Sequence, residues 1–262
     1  MVDRNENFKL IYVNSSDRID SYSDSSDFNI YIPDLLLVSQ VRIVDARIPH
    51  TWYNVDIYNN KIDFDEGSGE LSATITPGQY TTSTLAVEVK TALETAGTLT
   101  YNVAFDTSST FKSSIGVTTG SVNLLWETGT HAGETIGPIM GFLDINTGVA
   151  ASHTSDSVYN LNILDYILIK SSTFGGGNYN NIATTNYEDA GTSILAAVKI
   201  NTNFGSMQHL NDGIQYPSLA RTTGPATVIN LQLKTHDDTY LYLNGQEWSC
   251  LLQIDMNTTV VL

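Results

Sequence analysis

Leu71-Ser-Ala-Thr-Ile-Thr-Pro-Gly-Gln-Tyr-Thr-Thr-Ser-Thr-Leu-Ala-Val-Glu-Val-Lys-Thr-Ala-Leu-Glu-Thr-Ala-Gly97 reads as a strand that turns at Pro77-Gly78 and runs into a helix. Leu85, Val89, Leu93 and Ala96 recur at three- and four-residue spacing, so they share one face that must be buried against a sheet. Thr81, Thr82 and Ser83 offer hydroxyls to the helix N-terminus, and Gly97 offers a left-handed stop at its end. This is the one convincing amphipathic helix in a chain otherwise patterned for strands. Its apolar face is expected to brace one edge or end of a β-sandwich, with Glu88, Lys90 and Glu94 left in water or against a neighbour.

Working outward, strand patterns lie on both sides. Toward the N-terminus, Phe8 to Val13 alternates and stops at Asn14-Ser-Ser-Asp-Arg18, whose side chains favour turns by bonding their own backbone. Phe28, Ile30 and Ile32 alternate with polar residues up to Pro33, and Val41 to Ile48 forms a further strand closed by Pro49. Arg42, Asp45 and Arg47 punctuate it and are expected to be solvated or paired at the surface. Lys61 to Phe64 leads through the loop Asp65-Glu-Gly-Ser-Gly69 into the opening stretch.

Toward the C-terminus, Leu99 to Phe105, Phe111 to Val117 and Ser121 to Trp126 are short strands between Ser, Thr and Gly turns. Ile136-Gly-Pro-Ile-Met-Gly-Phe-Leu143 reads as a buried turn, because a phosphate loop would need a Lys after its glycines. Tyr159 to Ile169 is apolar enough for a central strand. A Gly-, Asn- and Thr-rich loop region, about 171–225, follows, within which Ser193 to Asn201 returns to strand. In the run from Val228 to Lys234, Ile229, Leu231 and Leu233 alternate with polar residues, predicting one buried and one wet face. Asn244-Gly245 between Tyr240 to Leu243 and Trp248 to Met256 is a strong hairpin signal. With no dividing linker and no internal repeat, 1–262 reads as one β-domain.

Composition narrows the function classes. Twelve Lys and Arg against 28 Asp and Glu give a formal charge of −16, with no basic run to release counterions from a phosphate backbone. Direct nucleic-acid binding is therefore disfavoured. Cys250 stands alone in a strand-like run, which fits a buried, inert thiol and excludes an internal disulfide. Met1-Val-Asp-Arg-Asn-Glu-Asn7 holds no signal-peptide core, and no stretch approaches the roughly 18 apolar residues of a membrane span. Synthesis in a reducing cytosol is expected, with the acceptor patterns at Asn14 and Asn257 unused.

Chemistry-bearing residues are sparse in pattern. Asp63, Asp65, Glu66 and Glu70 are the densest set a hard cation would choose, but their spacing does not fit a calcium loop. His50, His131, His153, His209 and His236 have no partner at a trusted metal-binding spacing; His131 and Glu134 are three apart in a Gly-rich loop. No Gly-x-Ser-x-Gly elbow is present. A carboxylate pair for glycoside hydrolysis is assembled in space, so a β-sandwich hydrolase stays open. Trp52-Tyr53 suits a sugar-binding platform, a subunit interface or plain core packing. The sequence assigns no catalytic, cofactor-binding or metal-ligating residue.

Several stretches, taken in order from about residue 8 to 256, resemble the penton-type, single jelly-roll minor capsid proteins of eukaryotic double-stranded DNA viruses and virophages. They are Asn14-Ser-Ser-Asp-Arg18, Arg47-Ile-Pro-His-Thr-Trp-Tyr-Asn54, the unit ending Thr76-Pro-Gly-Gln-Tyr80, Ile139-Met-Gly-Phe142, Ile229 to Leu233, and Leu243-Asn-Gly-Gln-Glu-Trp248. The loop region about 171–225 carries no part of the likeness. The resemblance implies an all-β fold: a single jelly-roll sandwich of two four-stranded antiparallel sheets over 1–262, with one short α-helix and long loops. It implies a non-enzymatic vertex subunit without cofactors, located in the virion and made in the host cytoplasm or nucleus. Its partners would be four further copies, in a homopentamer closing the fivefold vertices of an icosahedral shell, and the surrounding capsomers of a major capsid protein. The competing class is a glycan- or receptor-binding β-sandwich module without enzymatic activity.

Overall fold

The computed structural model describes residues 8–20, 23–32, 38–174, 193–210 and 227–256. Strands β1 (Phe8–Asn14), β2 (Asp27–Tyr31) and β3 (Val38–Pro49) open the chain. A middle block follows: β4 (Lys61–Asp65), β5 (Glu70–Thr74), α1 (Thr82–Ala96), β6 (Tyr101–Phe105), β7 (Ser113–Val117), β8 (Asn123–Leu124), the single turn α2 (Gly137–Met140) and β9 (Ser152–Thr154). The last block holds β10 (Tyr166–Ser171), β11 (Ser193–Lys199), β12 (Met207–His209), β13 (Val228–Lys234) and β14 (Ser249–Met256).

The outer blocks make one compact unit, Met1–Trp52 with Leu164–Leu262. Its strands pair in two four-stranded sheets, ordered β1-β14-β3-β12 and β11-β10-β13-β2, with every recorded pairing antiparallel. Numbered among themselves, these eight strands pair first with eighth, second with seventh, third with sixth and fourth with fifth. Those four pairs, shared alternately between two sheets, are the wrapped long hairpin of a jelly roll. Between the sheets lies one apolar core, with Val13, Phe28, Ile43, Ile48, Ile167, Ile169, Leu231, Leu233, Leu252 and Ile254 all buried. In β2, β13 and β14 the inward residues fall at every second position, as the alternation required.

Strand β3 departs from regular pairing. Its register against β14 shifts between Leu251 and Leu252, which face Asp45 and Ile43, so Val44 is bulged out and exposed. Arg42 donates to Gln253 Oε1 at 2.7 Å, and Arg47 lies 4.0 Å from Asp45 with both side chains about half in water. The expected surface pairing is present and contributes ~0–1 kcal/mol.

The second compact unit, Tyr53–Ile163, is inserted between the third and fourth strands of the roll. It contains two three-stranded antiparallel sheets, β5-β4-β8 and β6-β7-β9, and its own core of Val55, Ile62, Phe64, Leu85, Val89, Leu93, Ile115, Trp126 and Phe142. Helix α1 belongs here. Leu85, Val89 and Leu93 are wholly buried in this core, so the helix packs within the insert rather than bracing the jelly roll. An apolar stripe at helical spacing reports that a sheet must cover it, not which sheet.

Both ends of α1 are fixed locally. Thr81 is the N-cap: its hydroxyl accepts from the Thr84 amide at 3.3 Å, while Thr84 Oγ1 accepts from the Thr81 amide at 2.9 Å, a capping box. Gly97 is extended (φ −106°, ψ −165°) instead of left-handed. A glycine is needed there for space, since a Cβ would run into the Glu66 carboxylate and the Phe64 ring.

Three other expectations changed. The apolar run Tyr159 to Ile169 divides: Leu161 and Ile163 pack on the insert's core, and β10 starts only at Tyr166. Asn244 (φ 51°) and Gly245 (φ 78°) do form a tight turn, closed by the Gln246 amide on the Leu243 carbonyl. It is not a hairpin, because β13 and β14 lie in opposite sheets and the turn carries the chain between them. Within the region about 171–225, 193–199 and 207–209 are strands, while 175–192 and 211–226 lie outside the described residues.

Candidate functional site

Strand β1 ends where β14 begins, Asn14 facing Ser249 in register. This juxtaposition brings Asn14-Ser-Ser-Asp-Arg18 onto Glu247-Trp248. Ser15 is buried; its amide donates to the Trp248 carbonyl at 2.9 Å, and its Oγ accepts from the Trp248 amide at 2.9 Å while donating to Glu247. Arg18 Nη1 meets Glu247 Oε1 at 2.7 Å and also donates to the Ser15 carbonyl at 2.8 Å. The buried Trp248 indole donates to the Ser25 carbonyl at 2.7 Å and meets the Phe28 ring edge-on.

The third stretch joins the same corner. Thr51 Oγ1 donates to the Leu243 carbonyl at 2.7 Å, and Asn244 Nδ2 donates to the Thr51 carbonyl at 2.5 Å. His50 stacks on Trp52 with ring centroids 3.9 Å apart, and Trp52 is only 6% exposed. Burial lowers the His50 pKa, against the opposing effect of the Thr202 carbonyl beside Nδ1. Trp52 therefore serves core packing, one of its three open readings, and no sugar platform is formed by it.

In the insert a second convergence is built on Asn54, which is buried. Its Nδ2 donates to the Tyr80 carbonyl at 2.8 Å and its Oδ1 accepts from the Tyr80 amide at 2.9 Å, while its own amide donates to Gln79 Oε1 at 3.1 Å. Val55 and Gly78 pair beside it. Ile136 to Phe142 is a largely buried turn as expected, while Leu143 at its end is exposed: Gly137 lies against Trp126, and Gly141 (φ 88°) lies against the Ser157 and Val158 backbone, where a Cβ would clash.

The carboxylates that suggested a cation site are each engaged by separate protein donors. Asp65 caps its own loop through the amides of Gly67, Ser68 and Gly69, and Glu70 accepts from the Thr130 amide. Glu66 takes the Thr98 hydroxyl at 2.6 Å, the Thr98 and Leu99 amides, and the Tyr101 hydroxyl at 3.0 Å. Burial would raise its pKa, but these hydrogen bonds outweigh it and hold the carboxyl below its ordinary value. Burial together with the Glu66 carboxylate pushes the Tyr101 hydroxyl up in turn. Among the described residues no group of three His, Cys, Asp or Glu side chains is placed to hold a metal ion.

One arrangement has the composition of a hydrolase triad: Ser72 Oγ lies 3.2 Å from His131 Nδ1, which lies 3.0 Å from Asp63 Oδ1. Both contacts fall on the same ring nitrogen, whereas a relay needs the serine and the carboxylate on opposite nitrogens. The cluster is structural. Asp63 also takes the His131 amide at 2.5 Å, so it ties the 127–135 loop to β4 and β5. His153 Nε2 contacts the Val122 carbonyl at 2.8 Å in a buried position, His209 sits on β12, and His236 is exposed in the turn after β13. Cys250 is buried beside Asp45, and burial first, then that carboxylate, drives its thiol pKa up. The thiol is an inert core group.

A polar cluster missed by the sequence reading lies on the face of β13 predicted to be wet. Lys170 and Lys234, 4% and 7% exposed, meet the Asp238 carboxylate at 2.5 and 2.8 Å, and the Lys234 ammonium lies 4.7 Å from the Tyr240 ring centroid. Gln232 is buried beside them. The turn after β13 folds back over this face, and alternation within a strand cannot register a cover supplied by a later turn.

The crystal structure of the selenomethionine-labelled mavirus penton protein is similar over 96% of this chain and 100% of its own, with 13% identity and a TM-score of 0.49. A chain of the Sputnik virophage cryo-electron microscopy structure is similar over 95% of this chain and 98% of its own, with 13% identity and a TM-score of 0.43. No curated protein matches. No helix of the described residues is long and apolar enough to cross a membrane. Residues 3–230 match a family of unknown function (DUF5901), and since that match takes in most of its length the chain belongs to this family.

Proposed function

We propose that the chain is a structural subunit of a virus particle, a penton protein whose homopentamers close the fivefold vertices of an icosahedral shell. One observation carries the reading. Stretches that resemble penton-type capsid proteins, scattered from residue 14 to 248, are gathered by the fold into two bonded clusters, around Ser15-Glu247-Trp248 and around Asn54-Tyr80. The strand order supports it without deciding it, because jelly rolls also serve lectins and cupins. A cupin needs a ligand cavity between its sheets. Here that space is filled by aliphatic and aromatic side chains.

The subunit would act by geometry: a heterologous side-to-side contact that closes after five copies, with its rim against neighbouring capsomers of another protein. Five copies would carry five times the −16 charge of one, so apolar contact or bound cations must offset the repulsion. Size-exclusion chromatography with light scattering tests the assembly. A species of five times the 28.6 kDa protomer, alone or on adding the major capsid protein, is expected. A chain that remains monomeric in both conditions and binds a glycan array would refute it.

A further inference from the structure

Three loops of the insert are bonded into one cluster that exposes large apolar side chains. The Tyr159 amide donates to the Phe111 carbonyl at 3.0 Å, the Ser157 amide to the Gly141 carbonyl at 2.8 Å, and the Leu143 amide to Asp156 Oδ2 at 3.1 Å. Phe111, Leu143, Ile145 and Val158, carried by these loops, are 47–61% exposed and together offer on the order of 400 Å² of apolar surface. Phe111 has φ 52°, a conformation that bulky side chains rarely adopt. It is held there by the Tyr159 bond and by Asp106, whose carboxylate binds the amides of Ser108, Ser109 and Thr110. An exposed aromatic kept in a strained, braced backbone is a feature of recognition surfaces.

Charge decides what fits. Asp106, Asp144 and Asp156 lie on the same loops against Lys112 alone, and residues 53–163 hold twelve Asp and Glu against three Lys and no Arg. An anionic membrane and a nucleic acid would be repelled, and a second copy of this acidic chain would add the like-charge repulsion that any contact between copies must offset, so a basic partner fits best. We propose that this loop cluster docks a basic protein segment, one whose apolar side chains are flanked by Lys or Arg. The patch is about half the ~800 Å² per partner of a standard interface, so it forms the apolar centre of a contact whose rim is electrostatic. The proposal does not depend on the penton reading.

The test uses the full chain and a fluorescent synthetic peptide alternating Leu with Lys, with Leu/Glu and Ser/Lys peptides as controls, read by anisotropy. The Leu/Lys peptide should bind, weaken with added salt, and lose about tenfold or more in affinity in a Phe111→Gly, Leu143→Ser, Val158→Ser variant. Phe111→Gly keeps the positive φ available, and thermal melting checks that the variant is folded. If it is not, Ile145→Ser and Asp144→Asn, each alone, should weaken the peptide severalfold. Unchanged affinity in a folded variant, or equal binding of the Leu/Glu peptide, overturns the proposal. So does a concentration-dependent dimer of the wild type that the variant abolishes, which would show that a second copy covers the patch.

Discussion

Replacing Ser15 by Ala should destabilise the jelly roll far beyond what deleting one oxygen suggests. The Ser15 Oγ is the acceptor for the buried Trp248 amide and a donor to Glu247. Alanine leaves that amide without this acceptor, at ~1–3 kcal/mol for an unsatisfied buried donor, and removes a hydrogen bond to a charged group, worth ~1.5–3 kcal/mol when intact. Because Arg18 still pairs with Glu247 at 2.7 Å, the second loss is partly made good. A total of about 2–4 kcal/mol follows. At ~2–4 °C per kcal/mol for a chain of this size, the melting temperature should fall by roughly 5–15 °C. Urea denaturation of Ser15→Ala, Glu247→Gln and the double variant gives the coupling between the two side chains, expected at about 1 kcal/mol or more. A Ser15→Ala protein within ~0.5 kcal/mol of wild type would show that the corner joining the first and last strands is held by something other than this bond network.

The insert provides independent checks. Val89→Asp should abolish soluble folding, since it places an unpaired charge in the second core, whereas Lys90→Ala should stay within ~0.5 kcal/mol by thermal melting; a folded Val89→Asp protein by circular dichroism would mean α1 faces the other way. Asn54→Ala removes the partners of both Tyr80 backbone groups and should cost about 2–4 kcal/mol in urea titration. Glu66 has a folded pKa below its ordinary 4.5, so its contribution is present above that value and lost as pH falls through the lowered one. Acid titration of stability should accordingly show a shallower loss below about pH 4.5 in Glu66→Gln than in wild type, and superimposable curves would refute the clamp on Thr98 and Tyr101. If assembled pentamers are isolated, low salt with chelator should dissociate them; equal stability there would assign the offsetting energy to apolar contact.

How much of this was legible in the sequence depends on the range of the forces involved. Element type was readable because it is set by neighbours: the alternation of Phe28, Ile30 and Ile32 and the stripe of Leu85, Val89 and Leu93 record which face meets water. The helix cap was readable to within Thr81, Thr82 and Ser83 for the same reason, and the tight turn at Asn244-Gly245 was readable although its hairpin was not. Assignment of elements to cores was not readable. The stripe on α1 is equally satisfied by a jelly-roll sheet or by the insert's own, and only the closed pairing of the eight outer strands excludes 53–163 from the roll.

The same division holds for the candidate sites. From the sequence alone come an all-β fold, an acidic chain with no clustered cations for nucleic acid, an inert Cys250 and the ordered stretches that resemble penton proteins, all consequences of local pattern or of simple charge. Tertiary structure alone decided that Ser15 meets Glu247 across 232 positions, that Ser72 and Asp63 crowd one nitrogen of His131, and that Lys170 and Lys234 share Asp238 behind a turn. Those contacts depend on loop closure and on which sheet a strand joins. No local propensity encodes either one, and they become fixed only when the whole pairing scheme has closed.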